Sequence, residues 1–179
     1  MALIHSLHLA VARALAAVAP ARALYLDPAC GGHQLLSLFV GDQPSVVTRI
    51  CEVDALIVVE GQVRVIVEIE ESGFIPTKIC GKLLTSALAT HFIHASLPGK
   101  AIPLGSDVLF IQVLDRIKLG PGAGHKAEQA ELIAERVREG LPLGVRGIAH
   151  YEMYLPRGPA DCDVLTKLQD SVRQILTGS

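Results

Sequence analysis

A chain of 179 residues, half of them apolar, is long enough to bury a real core and too hydrophobic to stay disordered. Its formal net charge of −2 excludes a general electrostatic attraction to nucleic acid, so any such contact has to come from a local basic patch. With no Trp, three Tyr and four Phe, it also lacks stacking platforms for single strands.

Residues 3–18 predict an Ala/Leu-rich helix, with Leu7, Val11, Leu15 and Val18 at helical spacing and Pro20 ending it. The same run raises a signal peptide or membrane span. His5, His8 and Arg13 interrupt it and no basic segment leads it, so a soluble helix is expected. His5 and His8 share a face, but with no third ligand nearby they read as a solvated helix edge. Leu24–Leu26 predicts a short strand. Asp27-Pro28 then opens a loop whose Gly31-Gly32 pair reads as a turn ahead of an anion cradle. Residues 34–40 are apolar, Gly41-Asp42-Gln43-Pro44 breaks the chain, and Val46–Ile50 leads into the stretch that organises everything after it.

That stretch is Cys51–Glu71. Two β-branched runs, Val53–Val59 and Val63–Ile69, meet at a turn of Glu60, Gly61 and Gln62. In a hairpin centred on Gly61, the odd-numbered face is wholly apolar and must be buried. The even face is mixed and sets Asp54 opposite Glu68 and Glu52 opposite Glu70. Opposed like charges destabilise a ladder by a few tenths to ~1 kcal/mol per pair. A divalent cation held by the carboxylates would remove that repulsion, and acids pointing into solvent would avoid it.

Beyond the hairpin, Pro76 opens a helix expected over 77–92, burying Ile79, Leu83 and Ala87 with Cys80, Leu84 and Leu88 beside them. Lys78 and Lys82 lie four apart on one face, either as surface lysines or leaning back toward the carboxylates. Pro98–Asp107 reads as a loop and Val108–Leu114 as a strand buried on both faces. The glycine-rich loop Leu119–Lys126 lacks P-loop spacing and is either a linker or a basic phosphate contact. Glu128–Glu139 predicts a helix, Gly147–Leu155 a strand, and Asp161–Leu176 a helix with an apolar stripe of Leu165, Leu168, Val172, Ile175 and Leu176. Cys30, Cys51, Cys80 and Cys162 have no Cys-x-x-Cys spacing and read as reduced core thiols of a cytoplasmic protein.

The order predicts a single α/β domain over 1–179, a mixed central sheet with an acidic antiparallel hairpin flanked by helices. In that order, with Asp54 followed by Glu68-Ile69-Glu70, the chain resembles the PD-(D/E)XK nuclease superfamily, the restriction-endonuclease-like fold, over a core of about residues 1–115. Glu70 stands where the motif has Lys, as in the E-x-E subset; no Pro precedes Asp54, and the first helix carries no acid.

The resemblance implies that Asp54, Glu68 and Glu70, helped by the Ile69 carbonyl, hold Mg²⁺ or Mn²⁺ for hydrolysis of DNA phosphodiester bonds. Glu70 would orient or deprotonate the attacking water, Lys82 or Lys78 would replace the strand lysine, and Glu52 would be an outer acid. It also implies a homodimer, with the C-terminal helix a candidate seam, though core packing explains its stripe equally. Two other readings stand beside it: a catalytically inactive nuclease-like binding or assembly module, and a small α/β metal- or ligand-binding protein of another fold. Whether a helix lysine reaches the carboxylates separates the first from the nuclease. Whether the hairpin and the strand after the helix share a sheet separates the second.

Overall fold

The computed structural model describes residues 5–119, 123–143 and 147–178. Within them the chain forms α1 (Ser6–Ala16), β1 (Leu24–Leu26), β2 (Leu36–Phe39), β3 (Arg49–Val53), β4 (Ala55–Val59) and β5 (Gln62–Glu70). It continues through α2 (Pro76–Leu88), β6 (His91–Ile93), β7 (Ala101–Leu114), a 3-10 turn at Arg116–Leu119, α3 (Ala123–Glu139), β8 (Ile148–Tyr154) and α4 (Cys162–Thr177). This is the expected α/β class, a mixed and mostly antiparallel sheet in the order β1-β4-β5-β7-β6-β2-β3, with β8 also on β7. Among the described residues, no helix is long and apolar enough to cross a membrane.

The hairpin β4–β5 forms where two β-branched runs flank a turn. The turn is tighter than the sequence suggests. Glu60 at φ 52° and Gly61 at φ 77° are its two central residues, as a primed hairpin turn requires, and Gln62 already pairs with Val59. A bulge between Ile57 and Val58 then restores the Gly61-centred register, so that Ala55 pairs with Val67 and Leu56 with Ile66. From β5 the chain crosses through α2 and returns as β7, parallel to β5 from Val65 against Leu109 to Glu70 against Leu114. Hairpin and following strand therefore share one sheet.

The sheet is covered on both sides. One core joins Leu7, Val11 and Leu15 of α1 and Leu168 and Val172 of α4 to Ala55, Ile57, Val65, Val67, Ile69 and Ile111. The other joins Leu83 and Ala87 of α2 and Ala134 of α3 to Leu56, Ile66, Phe92, Phe110 and Tyr151. Val63 lies in this second core, moved across by the bulge, and so does Val53, because the strand bends after it. Leu165, Ile175 and Leu176 of α4 also pack on the first core, so core packing accounts for the whole apolar stripe of that helix.

Several expectations need correction. Helix α2 stops at Leu88, and residues 91–93 form β6, where Phe92 is fully buried between β2 and β7. Cys80, Leu84 and Leu88 do not join the buried side of α2 but face outward. The expected loop at Pro98–Asp107 is largely strand, since β7 begins at Ala101. Pro103 is tolerated there because this part of β7 pairs with β6, and the ladder to β5 begins only at Leu104. Gly105 marks a close approach, as a Cβ there would come within 3.1 Å of the Val63 carbonyl oxygen. Of the thiols, all free, Cys30 is buried and Cys51 half-buried, whereas Cys80 and Cys162 are exposed and not core. Residues 3–4 of the first helix and 120–122 of the glycine-rich loop lie outside the described residues; from Ala123 onward that loop is already helix.

Candidate functional site

The C-terminal ends of the parallel strands β5 and β7 meet the start of β4, the end of an α/β sheet where ligands characteristically bind. Asp54 sits at the bend between β3 and β4. Its backbone N–H donates to the Val67 carbonyl at 3.2 Å, and its own carbonyl accepts from the Asp27 N–H at 3.0 Å. Before it the chain is β3, which pairs with β2 and not with β5, and this would strip the Ile69 N–H of its ladder acceptor. Asp54 Oδ2 takes that N–H at 2.6 Å.

The same bend undoes one expected pair. Glu52 does not face Glu70; it pairs with Ser37 of β2, exposed, and its charge meets Arg49 at 3.4 Å. It is no outer acid of this site.

Glu68 lies on the second face of β5, 3 % exposed. Lys82 reaches it from α2, Nζ to Oε2 at 2.5 Å. One turn earlier on the helix, Lys78 reaches Glu70 Oε2 at 2.5 Å. Both lysines thus lean back onto the strand, as helical spacing of four allows. The ends of the Lys78 pair are closed further by Ser72, whose backbone N–H donates to Glu70 Oε1 at 2.9 Å and whose hydroxyl donates to the same oxygen.

Burial pushes the Glu68 carboxyl up to about 8, with Asp54 beside it adding repulsion and Lys82 pulling the other way. Burial raises Asp54 as well, against the pull of Lys82 and the Ile69 N–H. In Glu70 burial would raise the pKa, but Lys78 and Ser72 outweigh it and hold the carboxyl below its ordinary value. Burial alone would lower Lys82, yet Glu68 and Asp54 keep its ammonium charged.

One atom is left over. Glu68 Oε1 is buried and has no hydrogen-bond donor. An orphaned carboxylate oxygen beside a second carboxylate is the donor set that a hard divalent cation satisfies. The residues present therefore fit such an ion at Asp54 and Glu68, with Glu70 adjacent on the same strand face but engaged by its own lysine and serine.

Three participants escaped the sequence. His8 of α1, expected on a solvated edge, is 6 % exposed, and Glu71 supplies the third group that it was said to lack. Glu71 Oε1 accepts the Leu7 N–H at 2.8 Å, capping the first turn of α1, while its Oε2 lies 3.1 Å from His8 Nδ1. Gln112, inside a run read as continuously apolar, is opposite Glu68 in the ladder. Its side-chain amide donates to the Ile79 carbonyl of α2 at 3.0 Å and accepts the Tyr151 hydroxyl at 2.5 Å, which fixes the helix that carries both lysines. The Gly31-Gly32 loop, by contrast, is the expected plain turn: Asp27 takes the Cys30 N–H with its side chain and the Gly32 N–H with its carbonyl.

Comparison with protein-family models, with curated proteins and with solved structures gives no match.

Proposed function

We propose that this chain is a restriction-endonuclease-like, metal-dependent nuclease that hydrolyses DNA phosphodiester bonds at the Asp54–Glu68 end of the hairpin. The observation that carries this reading is the ion pair between Lys82 and Glu68 beside the orphaned Glu68 Oε1. The E-x-E strand lacks the motif's lysine, and the Lys82 ammonium beside Glu68 supports a helix lysine in its stead. The shared sheet of hairpin and β7 also favours this fold over an unrelated α/β architecture.

Asp54 and Glu68 would hold Mg²⁺ or Mn²⁺, which when bound supplies Lewis acidity and charge neutralisation. Lys82, 28 % exposed, is close enough to solvent to move from Glu68 onto a phosphate oxygen, where a point cation stabilises the charge that develops on cleavage. Glu70 is a poor proton acceptor with its carboxyl held low by Lys78 and Ser72; its part is to anchor Lys78 next to the scissile position. The scattered, unpaired cysteines suit a cytoplasmic setting.

A second reading has its own support. With both Glu70 oxygens engaged and Glu68 given to the metal, β5 has no further carboxylate to orient water, which favours a nuclease-like module that binds without cutting.

The test is Mg²⁺- or Mn²⁺-dependent cleavage of plasmid and linear DNA, with Asp54→Asn and Glu68→Gln as controls. Cleavage abolished by both substitutions is the expected result. Absence of cleavage together with intact Mn²⁺ binding and DNA binding would establish the module instead.

A further inference from the structure

We infer that His5, His8 and Glu71 form a metal site of their own, separate from the Asp54–Glu68 carboxylates, which takes Zn²⁺ or a similar transition-metal ion and staples the first turn of α1 to the end of β5. The site is independent of the nuclease reading, since none of its donors belongs to the carboxylate pair.

The donors converge from two elements. His5 and His8 lie three apart at the start of α1, so their rings leave the same face, and Glu71 directly follows the last residue of β5. The rings meet edge to face, with centroids 5.0 Å apart and planes at 70°, and so do not stack. Instead both Nδ1 atoms approach one atom: Glu71 Oε2 lies 3.4 Å from that of His5 and 3.1 Å from that of His8. Among the described residues, this is the one group of three or more His, Cys, Asp or Glu whose donor atoms all lie within 4.8 Å of one another. Bonds of about 2.0–2.1 Å at a tetrahedral centre hold ligand atoms about 3.3 Å apart, a value that the two separations bracket. Two imidazoles and a carboxylate fill three positions of such a centre, and the exposed His5 side leaves the fourth to water.

The surroundings leave these donors available. Glu71 Oε1 is engaged separately, by the Leu7 N–H at 2.8 Å and by Lys118 Nζ at 3.7 Å, so Oε2 is the oxygen left for an ion. The cap on α1 therefore survives binding, and the ion displaces only the proton between His8 Nδ1 and Oε2. The neutral His8 ring then carries its proton on Nε2, which faces Asp54 Oδ1 at 3.8 Å, a carboxylate behind the imidazole as in metal sites whose histidines are oriented from outside. The nitrogen donors also select the ion. Imidazole suits Zn²⁺ and its neighbours in the transition series, whereas Mg²⁺ keeps to oxygen.

The experiment is calorimetric titration of the intact, metal-free protein with Zn²⁺ in excess Mg²⁺, paired with X-ray absorption of the one-equivalent complex and with thermal melts. Expected are one equivalent bound, a zinc shell of nitrogen and oxygen containing two imidazoles, and a Tm raised by Zn²⁺. His5→Ala is the deciding variant, because the ring is exposed and makes no capping bond, so its removal leaves the fold intact. It should lose both the isotherm and the rise in Tm. Glu68→Gln should keep both, which separates this site from the carboxylate pair whatever the cleavage assay gives. Binding unchanged in His5→Ala overturns the inference. Binding lost in Glu68→Gln overturns it as well, by placing the ion at Asp54 and Glu68. So does a zinc–sulfur shell, which would assign the metal to the exposed thiols of Cys80 or Cys162. No Zn²⁺ binding at all also overturns it, and leaves the Mg²⁺ or Mn²⁺ reading of Asp54 and Glu68 to its own test.

Discussion

On one face of β5, Val65, Val67 and Ile69 stay apolar to the end of the strand and join α1 and α4 in a dry core. On the other face Ile66 gives way to Glu68 and Glu70, and the partners change from Leu83 and Ala87 of α2 to Lys82 and Lys78 of the same helix. Neighbouring β7 follows the same division, with Leu109, Ile111 and Val113 on the first side and Phe110 followed by Gln112 on the second. Because strand residues alternate, a single segment can place its hydrophobic stabilisation on one side and its costly buried charge on the other. The difference teaches where each kind of substitution should register.

The sharpest test of the apolar side is Ile57→Ala. Ile57 is fully buried, and the truncation should cost about 4 kcal/mol in guanidinium unfolding while Mn²⁺ affinity of the folded protein is unchanged. The polar side should respond in the opposite way. On the nuclease reading proposed above, Lys82→Met should lower the cleavage rate about 10²-fold while Mn²⁺ still binds, since the ammonium would act on the phosphate and not on the ion.

A pH series separates the faces more finely. The folded Glu68 carboxyl is raised from the ordinary 4.5 to about 8, so the folded state holds the proton more tightly than the unfolded chain. Its contribution to stability is fully present below 4.5 and is lost as pH rises through about 8. The metal-free protein should therefore lose on the order of 5 °C in Tm between pH 6 and pH 9. Glu68→Gln should flatten the profile, and Mn²⁺ should restore the lost degrees at high pH. A flat native profile would break the comparison.

The smallest effect is expected at the junction of the two regimes. Gln112→Leu removes the acceptor of the buried Tyr151 hydroxyl and should cost about 1–2 kcal/mol. Tyr151→Phe in the same protein should recover part of it, since the orphaned hydroxyl goes too.

Local signals carried much of this architecture. β-branched alternation around Gly61 was enough to place Asp54 by Glu68, because the bulge at Ile57 and Val58 compensates for the two-residue turn before the acids are reached. The lysines of α2 followed from helical spacing behind Pro76. What could not be read is non-local. Glu52 was misplaced because leaving the ladder at Asp54 depends on β2, a distant strand. His8 looked solvent-facing since its partner Glu71 lies 63 residues away. Gln112 was hidden by its apolar neighbours, and the outward turn of Leu84 and Leu88 depends on how α2 is seated on the sheet.

If the proposed reading holds, Asp54 is where chemistry and architecture share one side chain, through the bond from Ile69 N–H to Oδ2. An amide oxygen would serve that bond equally well, so Asp54→Asn leaves the strand end closed while removing the charge. Alanine would do both kinds of damage at once. On the proposed reading the site would be one isosteric change away from silence without collapse, a route by which a cutting enzyme can become a scaffold while keeping its shape.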